Sequence, residues 1–283
     1  MTLSEKERLK LEQEWKSLRV TNDYIFGRVF SDPDLCSRLI ELLLGVKVKE
    51  LSVPPEYQKT LQTGIESRGV RFDVYTETDG EAFDIEIQTT MQKDLPLRMR
   101  YYQSSMDTAL IKKGQKFSDL KTTFVLFIST VDQFGYGEPV YEIASSIKNH
   151  PEYDFDDRRK ELVYNVSAFD KLDNGAVKSF LEYIATGEAK MDFEKLVDEK
   201  VEEIKDDEYW KNNYISIQMW KWDAIREGLE KGMEKGLKEG LAEGAAKQKA
   251  EDEHLLSAER EKNARLSERI TQLEAALAEK QHS

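Results

Sequence analysis

With 283 residues, a single cysteine and a formal net charge of −13, this chain is long enough for one substantial core plus an appendage, and it can form no intrachain disulfide. No window has the length and apolarity of a membrane span, and the start Met1-Thr2-Leu3-Ser4-Glu5-Lys6 is too charged for a signal peptide. A cytoplasmic protein without membrane contact is expected, and the scattered His150, His254 and His282 speak against a zinc site.

Residues 4–18 read as a charged helix. Asp34 to Leu44 reads as an apolar-rich helix ending at Gly45, with Cys36 as a small buried residue. Val46 to Val53 reads as a strand through Val46, Val48 and Leu51. Two further strands follow, Arg71-Phe72-Asp73-Val74-Tyr75 and Phe83-Asp84-Ile85-Glu86-Ile87-Gln88, joined by a hairpin turn at Asp79-Gly80. Leu95 to Lys113 reads as a helix capped by Asp94, with Pro96 in its first turn and Gly114 at its end. Its buried face is expected to be Leu95, Met99, Tyr102, Met106 and Ala109, with Arg98 and Tyr101 beside it. The apolar run Phe124 to Ile128 reads as a strand buried on both faces. Val140 to Ala144 and Leu162 to Val166 are candidate strands, and Asp170 to Thr186 a long helix or a helix pair.

The chemistry lies in the two central strands. Side chains alternate along a strand, so Asp84, Glu86 and Gln88 share one face while Ile85 and Ile87 point to the other. Adjacent antiparallel strands bring Asp73 and Glu86 within reach of one ion. Hard divalent cations take carboxylate oxygens and keep waters in their other positions, and such an ion can activate water at a phosphoryl group. The plain alternative is a solvated hairpin with an acidic outer face.

Asp73, then a turn, then Glu86-Ile87-Gln88 resembles the PD-(D/E)XK nuclease superfamily. Within it the chain is similar to the PD-(D/E)XK family transposases of bacteria and the Rpn recombination-promoting nucleases. Thr21-Asn22-Asp23-Tyr24-Ile25-Phe26 with Val29-Phe30 resembles that family's opening motif. Arg98, Tyr101 and Tyr102, then Gly114, Phe117 and Leu120, resemble later elements, and Glu227-Gly228-Leu229-Glu230-Lys231-Gly232 resembles its ending. The resemblance implies an α/β fold, a restriction-endonuclease-like core with a mixed central sheet flanked by helices, carrying a long C-terminal helical tail. It implies a metal-dependent endonuclease of the bacterial cytoplasm linked to recombination or mobile elements. Asp73 and Glu86 would hold Mg²⁺ or Mn²⁺, with the carbonyl of Ile87 as a further ligand, and Glu41 is a candidate extra acid. The motif's usual Lys is Gln88 here. A neutral amide can orient water but brings no positive charge, and Gln88→Lys would restore the usual residue. The rival expectation is a weak or inactive nucleic-acid-binding scaffold that keeps the nuclease fold.

The acidic balance does not exclude nucleic acid, because residues 1–125 are nearly balanced and the rest carries almost all the excess. From Gln92 to Lys121 basic residues outnumber acidic ones. Arg98, Arg100, Tyr101, Lys112 and Lys113 are the candidate contacts to nucleic acid, DNA in the first instance. An ordinary solvated helix face is the alternative for individual lysines.

The domain reading is a nuclease-like domain over 1–205, a glycine-striped helical segment over 206–248 and a short coiled-coil tail over 249–283. Gly228, Gly232, Gly236, Gly240 and Gly244 recur every four residues. Each costs a helix about 1 kcal/mol relative to Ala, which close approach of another helix would offset. Leu256, Asn263, Ile270 and Leu277, with Leu266 and Leu273, form a short heptad seam. A homo-oligomer, dimer or higher, is expected through this helix.

Overall fold

The computed structural model describes residues 3–61 and 69–281, with side chains over 5–61 and 69–274. It divides into two units, Met1–Ser216 and Ile217–Ser283. The first unit begins with helices α1 (Leu3–Ser17), α2 (Asp23–Val29) and α3 (Pro33–Leu44). Strands β1 (Val53–Tyr57), β2 (Thr60–Leu61), β3 (Val70–Arg71), β4 (Val74–Glu77) and β5 (Glu81–Gln88) follow. After them come α4 (Leu95–Leu110), β6 (Thr122–Ser129), β7 (Val140–Ile143), β8 (Arg159–Asn165), α5 (Ala176–Thr186) and α6 (Asp192–Asp206). Helix α7 (Glu208–Gln281) starts in the first unit and makes up the second.

Local signals place the first helices. The Asn22 side chain caps α2 by accepting from the N–H groups of Tyr24 and Ile25. Asp32 caps α3 in the same way, Pro33 occupies its first turn, and Gly45 closes it at φ 68°. Cys36 is buried within α3, and burial pushes its thiol pKa up to about 12.

Six strands form one mixed sheet in the order β1-β4-β5-β6-β8-β7. β1, β4 and β5 run antiparallel, β5, β6 and β8 parallel, and β7 antiparallel to β8. This is the expected mixed sheet flanked by helices. On one face α4 sets Leu95, Met99 and Met106 against Phe72, Tyr75, Val125, Phe127 and Val163. Tyr164, one residue beyond Val163 and so on the opposite face, donates its hydroxyl to the carbonyl of Leu43 at 2.6 Å and ties β8 to α3. Helix α1 is anchored by Trp15, whose indole N–H donates to the carbonyl of Lys205 at 3.0 Å.

Several boundaries differ from expectation. Val46–Leu51 is not a strand. Val46 is exposed, and the N–H of Val48 donates to the Glu41 carboxylate at 3.1 Å, so this backbone finishes α3 rather than joining a ladder. The strand comes later, at Val53–Tyr57, and its Pro54 and Pro55, which have no N–H to donate, fit the sheet edge that β1 occupies. Asp73 lies at a bend between β3 and β4 rather than inside one strand, because β3 pairs with β2 while β4 pairs with β5. Helix α4 ends at Leu110, Asp94 makes no side-chain cap, and Gly114 lies in the following turn at φ 93°. Ala109 is exposed, while Gln103 joins the buried side and donates to the hydroxyl of Thr123.

The second unit is helix. A Cβ added at Gly228, Gly232, Gly236, Gly240 or Gly244 would meet no heavy atom within 4 Å. Beside that stripe runs a second one, also with period four. Ile225, Leu229, Met233, Leu237 and Leu241 are each 62–68% exposed. Leu256, Leu266, Ile270 and Leu273 of the heptad seam are exposed as well. The side chain of Leu277 and residues 282 and 283 lie outside the described ones.

Candidate active site

β5 is buried along almost its whole length because it lies between β4 and β6 with helices on both faces. Its apolar residues Phe83, Ile85 and Ile87 fill one face. The other face carries Asp84 and Glu86, which are 0% and 4% exposed. The register Val74↔Ile85, extended one step, sets Asp73 opposite Glu86. The N–H of Asp73 donates to Oε1 of Glu86 at 2.9 Å, and Oδ2 of Asp73 accepts from the N–H of Ile87 at 3.2 Å. The two acids are thus locked in register, and each keeps its other oxygen outside this pair of bonds.

Asp73 is held from behind as well. Its carbonyl accepts from the N–H of Gln58 at 3.3 Å. A Cβ on Gly27 of α2 would come within 3.1 Å of that carbonyl and would collide with the Tyr57 ring, so this approach needs glycine. Tyr57 is stacked in turn by the Arg28 guanidinium, 4.3 Å from its centroid, which also lies 4.1 Å from the Trp210 ring.

At the end of β5, Gln88 is engaged on both sides. Its amide nitrogen donates to the carbonyl and hydroxyl of Thr90 at 3.0 and 2.9 Å. Its Oε1 accepts from Nη1 of Arg98 at 3.1 Å. Arg98 donates from Nη2 to the hydroxyl of Tyr102 at 3.1 Å, and the same nitrogen stands 3.8 Å from Oε2 of Glu86. The first turn of α4 therefore sets a cation beside both Gln88 and Glu86.

Three carboxyls share this desolvated space. Burial raises the Asp73 pKa well above its ordinary value, and the charge of Glu86 adds to the effect. Burial raises Glu86 too, against the pull of the Asp73 N–H and the positive charges of Arg98 and Arg71. Asp84 is raised most plainly by burial and then by the charge of Glu86. Neither of its oxygens meets a donor. It faces the Glu86 carboxylate, itself an acceptor, so the pair closes a hydrogen bond only when one of the two carries a proton.

A divalent ion fits this donor set. The acids outnumber the one guanidinium in contact with them, and the orphaned oxygens of Asp84 leave acceptors without a donor behind Glu86. Among the described residues no group of three or more His, Cys, Asp or Glu side chains is arranged to hold a metal unaided. Two carboxylates, a carbonyl and waters remain a sufficient shell for a hard cation.

Asp73, Glu86, Ile87, Gln88 and Arg98, expected from the sequence, come together here. Arg100 and Tyr101 lie next to Arg98 on the outer side of α4. Lys112 and Lys113 do not join them. They lie beyond Leu110, the last residue of α4, which is itself about 18 Å from Arg98 at 1.5 Å per residue. Glu41 is engaged elsewhere, paired with Lys47 at 2.9 Å and with the N–H of Val48, and the Lys47 bond holds its pKa down. The helix acid whose charge bears on Asp73 is Asp23. Asp23 belongs to the opening motif, which carries no site role by itself, and no spacing in the chain links it or Thr90 to residues 73–88. The burial of Asp84 had a signal, its i, i+2 relation to Glu86.

Among the described residues no helix is long and apolar enough to cross a membrane. No curated protein and no solved structure matches this chain. The family model described as PD-(D/E)XK nuclease family transposase matches residues 20–176, a span that holds the whole six-stranded sheet together with Asp73, Glu86, Gln88 and Arg98. With more than half its length matched, the chain belongs to the PD-(D/E)XK nuclease family transposases.

Proposed function

We propose that the protein is a metal-dependent endonuclease that hydrolyses phosphodiester bonds in DNA, in the setting of recombination or mobile elements. The observation that carries this reading is the Asp73–Glu86 pair, tied together by two hydrogen bonds from backbone N–H groups to the carboxylates, with Glu86 buried beside Arg98. Asp73, Glu86 and the carbonyl of Ile87 would hold Mg²⁺ or Mn²⁺. When bound, such an ion polarises a phosphoryl oxygen and lowers the pKa of an attacking water.

The chain's own groups do the rest. Gln88 has both amide N–H bonds on Thr90 and keeps one lone pair on Oε1 beyond its bond from Arg98. That lone pair accepts from a water O–H and aims it. Arg98, fixed by Gln88 and Tyr102, supplies the positive charge that Gln88 lacks and faces the charge developing on the phosphoryl group. Arg100 and Tyr101, beside it on α4, contact the nucleic acid.

We also infer a homo-oligomer, dimer or higher, through α7. What supports it is the open space around its glycine stripe and the exposed apolar stripe beside it. Small residues let helix backbones approach closely, and a second copy offers the matching surface.

A plasmid-nicking assay with and without divalent ion tests the nuclease reading. Cleavage that needs Mg²⁺ or Mn²⁺ and stops with chelator is expected. Binding of DNA without cleavage in either ion would favour the scaffold instead.

A further inference from the structure

A pocket of about 550 Å³ opens on the α4 side of the acids, lined by Arg71, Leu97, Arg98, Arg100, Tyr101 and Tyr102 among others. Its volume lies within the roughly 300–1,000 Å³ of small-ligand sites. It adjoins the acids directly, because Arg98 forms part of its wall and also stands 3.8 Å from Glu86. The charge of Arg71 bears on both Asp73 and Glu86.

The lining combines two chemistries. Arg71, Arg98 and Arg100 face it against a single carboxylate, Asp94, in a chain whose net charge is −13. Leu97 and Tyr101, one helical turn apart and so neighbours on α4, are 59% and 40% exposed. An apolar shelf ringed by guanidinium groups matches one ligand class well. A nucleobase stacks on the shelf while its phosphates meet the arginines. A base inside a paired duplex cannot offer its face in this way without leaving the stack.

We propose that this pocket takes one unpaired nucleotide beside the phosphate to be cut, with its base on Leu97 and Tyr101 and its phosphates on Arg71 and Arg100. The substrate is then a strand unpaired at that position rather than an intact duplex. The cutting clause rests on the nuclease reading; the binding clause does not.

The test is fluorescence anisotropy on the full chain in chelator, so that nothing is cleaved. The probes are a labelled single-stranded DNA, the same strand fully paired, and a single-stranded RNA of the same sequence. Single strands should bind about tenfold or more tightly than the duplex. The tighter of DNA and RNA names the sugar. Tyr101→Ala should weaken single-strand binding about tenfold or more, the scale of losing one stacked base, while Tyr101→Phe, which keeps the ring, should bind as the wild type does. Arg71→Ala with Arg100→Ala should flatten the salt dependence by about 1.4 in logarithmic slope, at roughly 0.7 per phosphate contact on a single strand. Melting curves on each variant separate lost binding from lost folding. Equal affinity for duplex and single strand, or an unchanged Tyr101→Ala variant, overturns the proposal. Intact metal-dependent nicking alongside either result leaves the nuclease reading standing. Absent cleavage of the single strand in both Mg²⁺ and Mn²⁺ alongside a clear single-strand preference removes the nuclease reading and leaves the pocket.

Discussion

The backbone N–H of Asp73 donates to the Glu86 side chain at 2.9 Å, so one acid is anchored on the other's main chain. Removing Glu86 therefore has two separable consequences. Glu86→Gln keeps an acceptor for that N–H but loses the charge, whereas Glu86→Ala loses both. Both variants should lack metal-dependent cleavage. Only the Ala variant should also lose about 1–3 kcal/mol of stability, the cost of a buried donor left without a partner. Denaturant melts beside nicking assays check this, and equal melting of the two variants would contradict the anchoring.

Gln88→Lys should lower cleavage rather than raise it, although it restores the residue usual in the superfamily. Oε1 of Gln88 accepts from Arg98 at 3.1 Å, and an ammonium in its place would repel that guanidinium. Gln88→Ala should lose about a hundredfold, the scale of one oriented polar group near a reacting centre. Arg98→Ala should lose at least as much. Single-turnover rates decide it, and a Lys variant faster than wild type would show that Arg98 does not supply the positive charge.

Asp84 makes stability depend on pH. Burial raises its pKa, and those of Asp73 and Glu86, above the unfolded values. The folded chain then binds more protons than the unfolded one. Stability is full below the unfolded pKa of about 4 and falls as pH rises toward the raised values. In the metal-free wild type these three acids should draw the melting temperature down from acid to neutral pH, against the opposite pull of carboxylates such as Asp132 whose pKa is lowered. Asp84→Asn, neutral throughout and able to donate to Glu86, should fall less steeply and melt higher at neutral pH. The difference should be a few degrees, since about 1 kcal/mol moves Tm by roughly 2–4 °C in a domain of this size. Parallel pH profiles for the two proteins would mean that Asp84 is not the group responsible.

Leu at Gly232, Gly236 and Gly240 should disrupt assembly through α7, because a bulky side chain separates backbones that glycine lets approach. Ala at the same positions should be milder and should strengthen the helix by itself. Deleting residues 224–283 should leave a folded first unit of lower oligomeric state. Light scattering on these proteins at micromolar concentration provides the readout. A full-length chain that is already monomeric there removes the proposed interface.

Local and periodic features were legible in the sequence. The alternation Asp84, Glu86, Gln88 against Ile85, Ile87 set the two faces of β5, since a strand has period two whatever surrounds it. Asp32, Pro33 and Gly45 marked the limits of α3, and the run Phe124–Ile128 marked a strand buried on both sides. The order of motif residues pointed to the family. What only the tertiary structure decided were relations between distant segments. The path of Val46–Leu51 depended on Glu41 capturing the N–H of Val48. The bend at Asp73 depended on β3 and β4 choosing different partners. The approach of Arg98 to Gln88 and Glu86 depended on α4 packing over β5, and the same packing carried Lys112 and Lys113 away from the acids. The exclusion of donors from Asp84 depended on everything laid over that face. Periodicity is written along a chain and survives in any fold that keeps the element, but proximity and desolvation exist only once separate elements have packed.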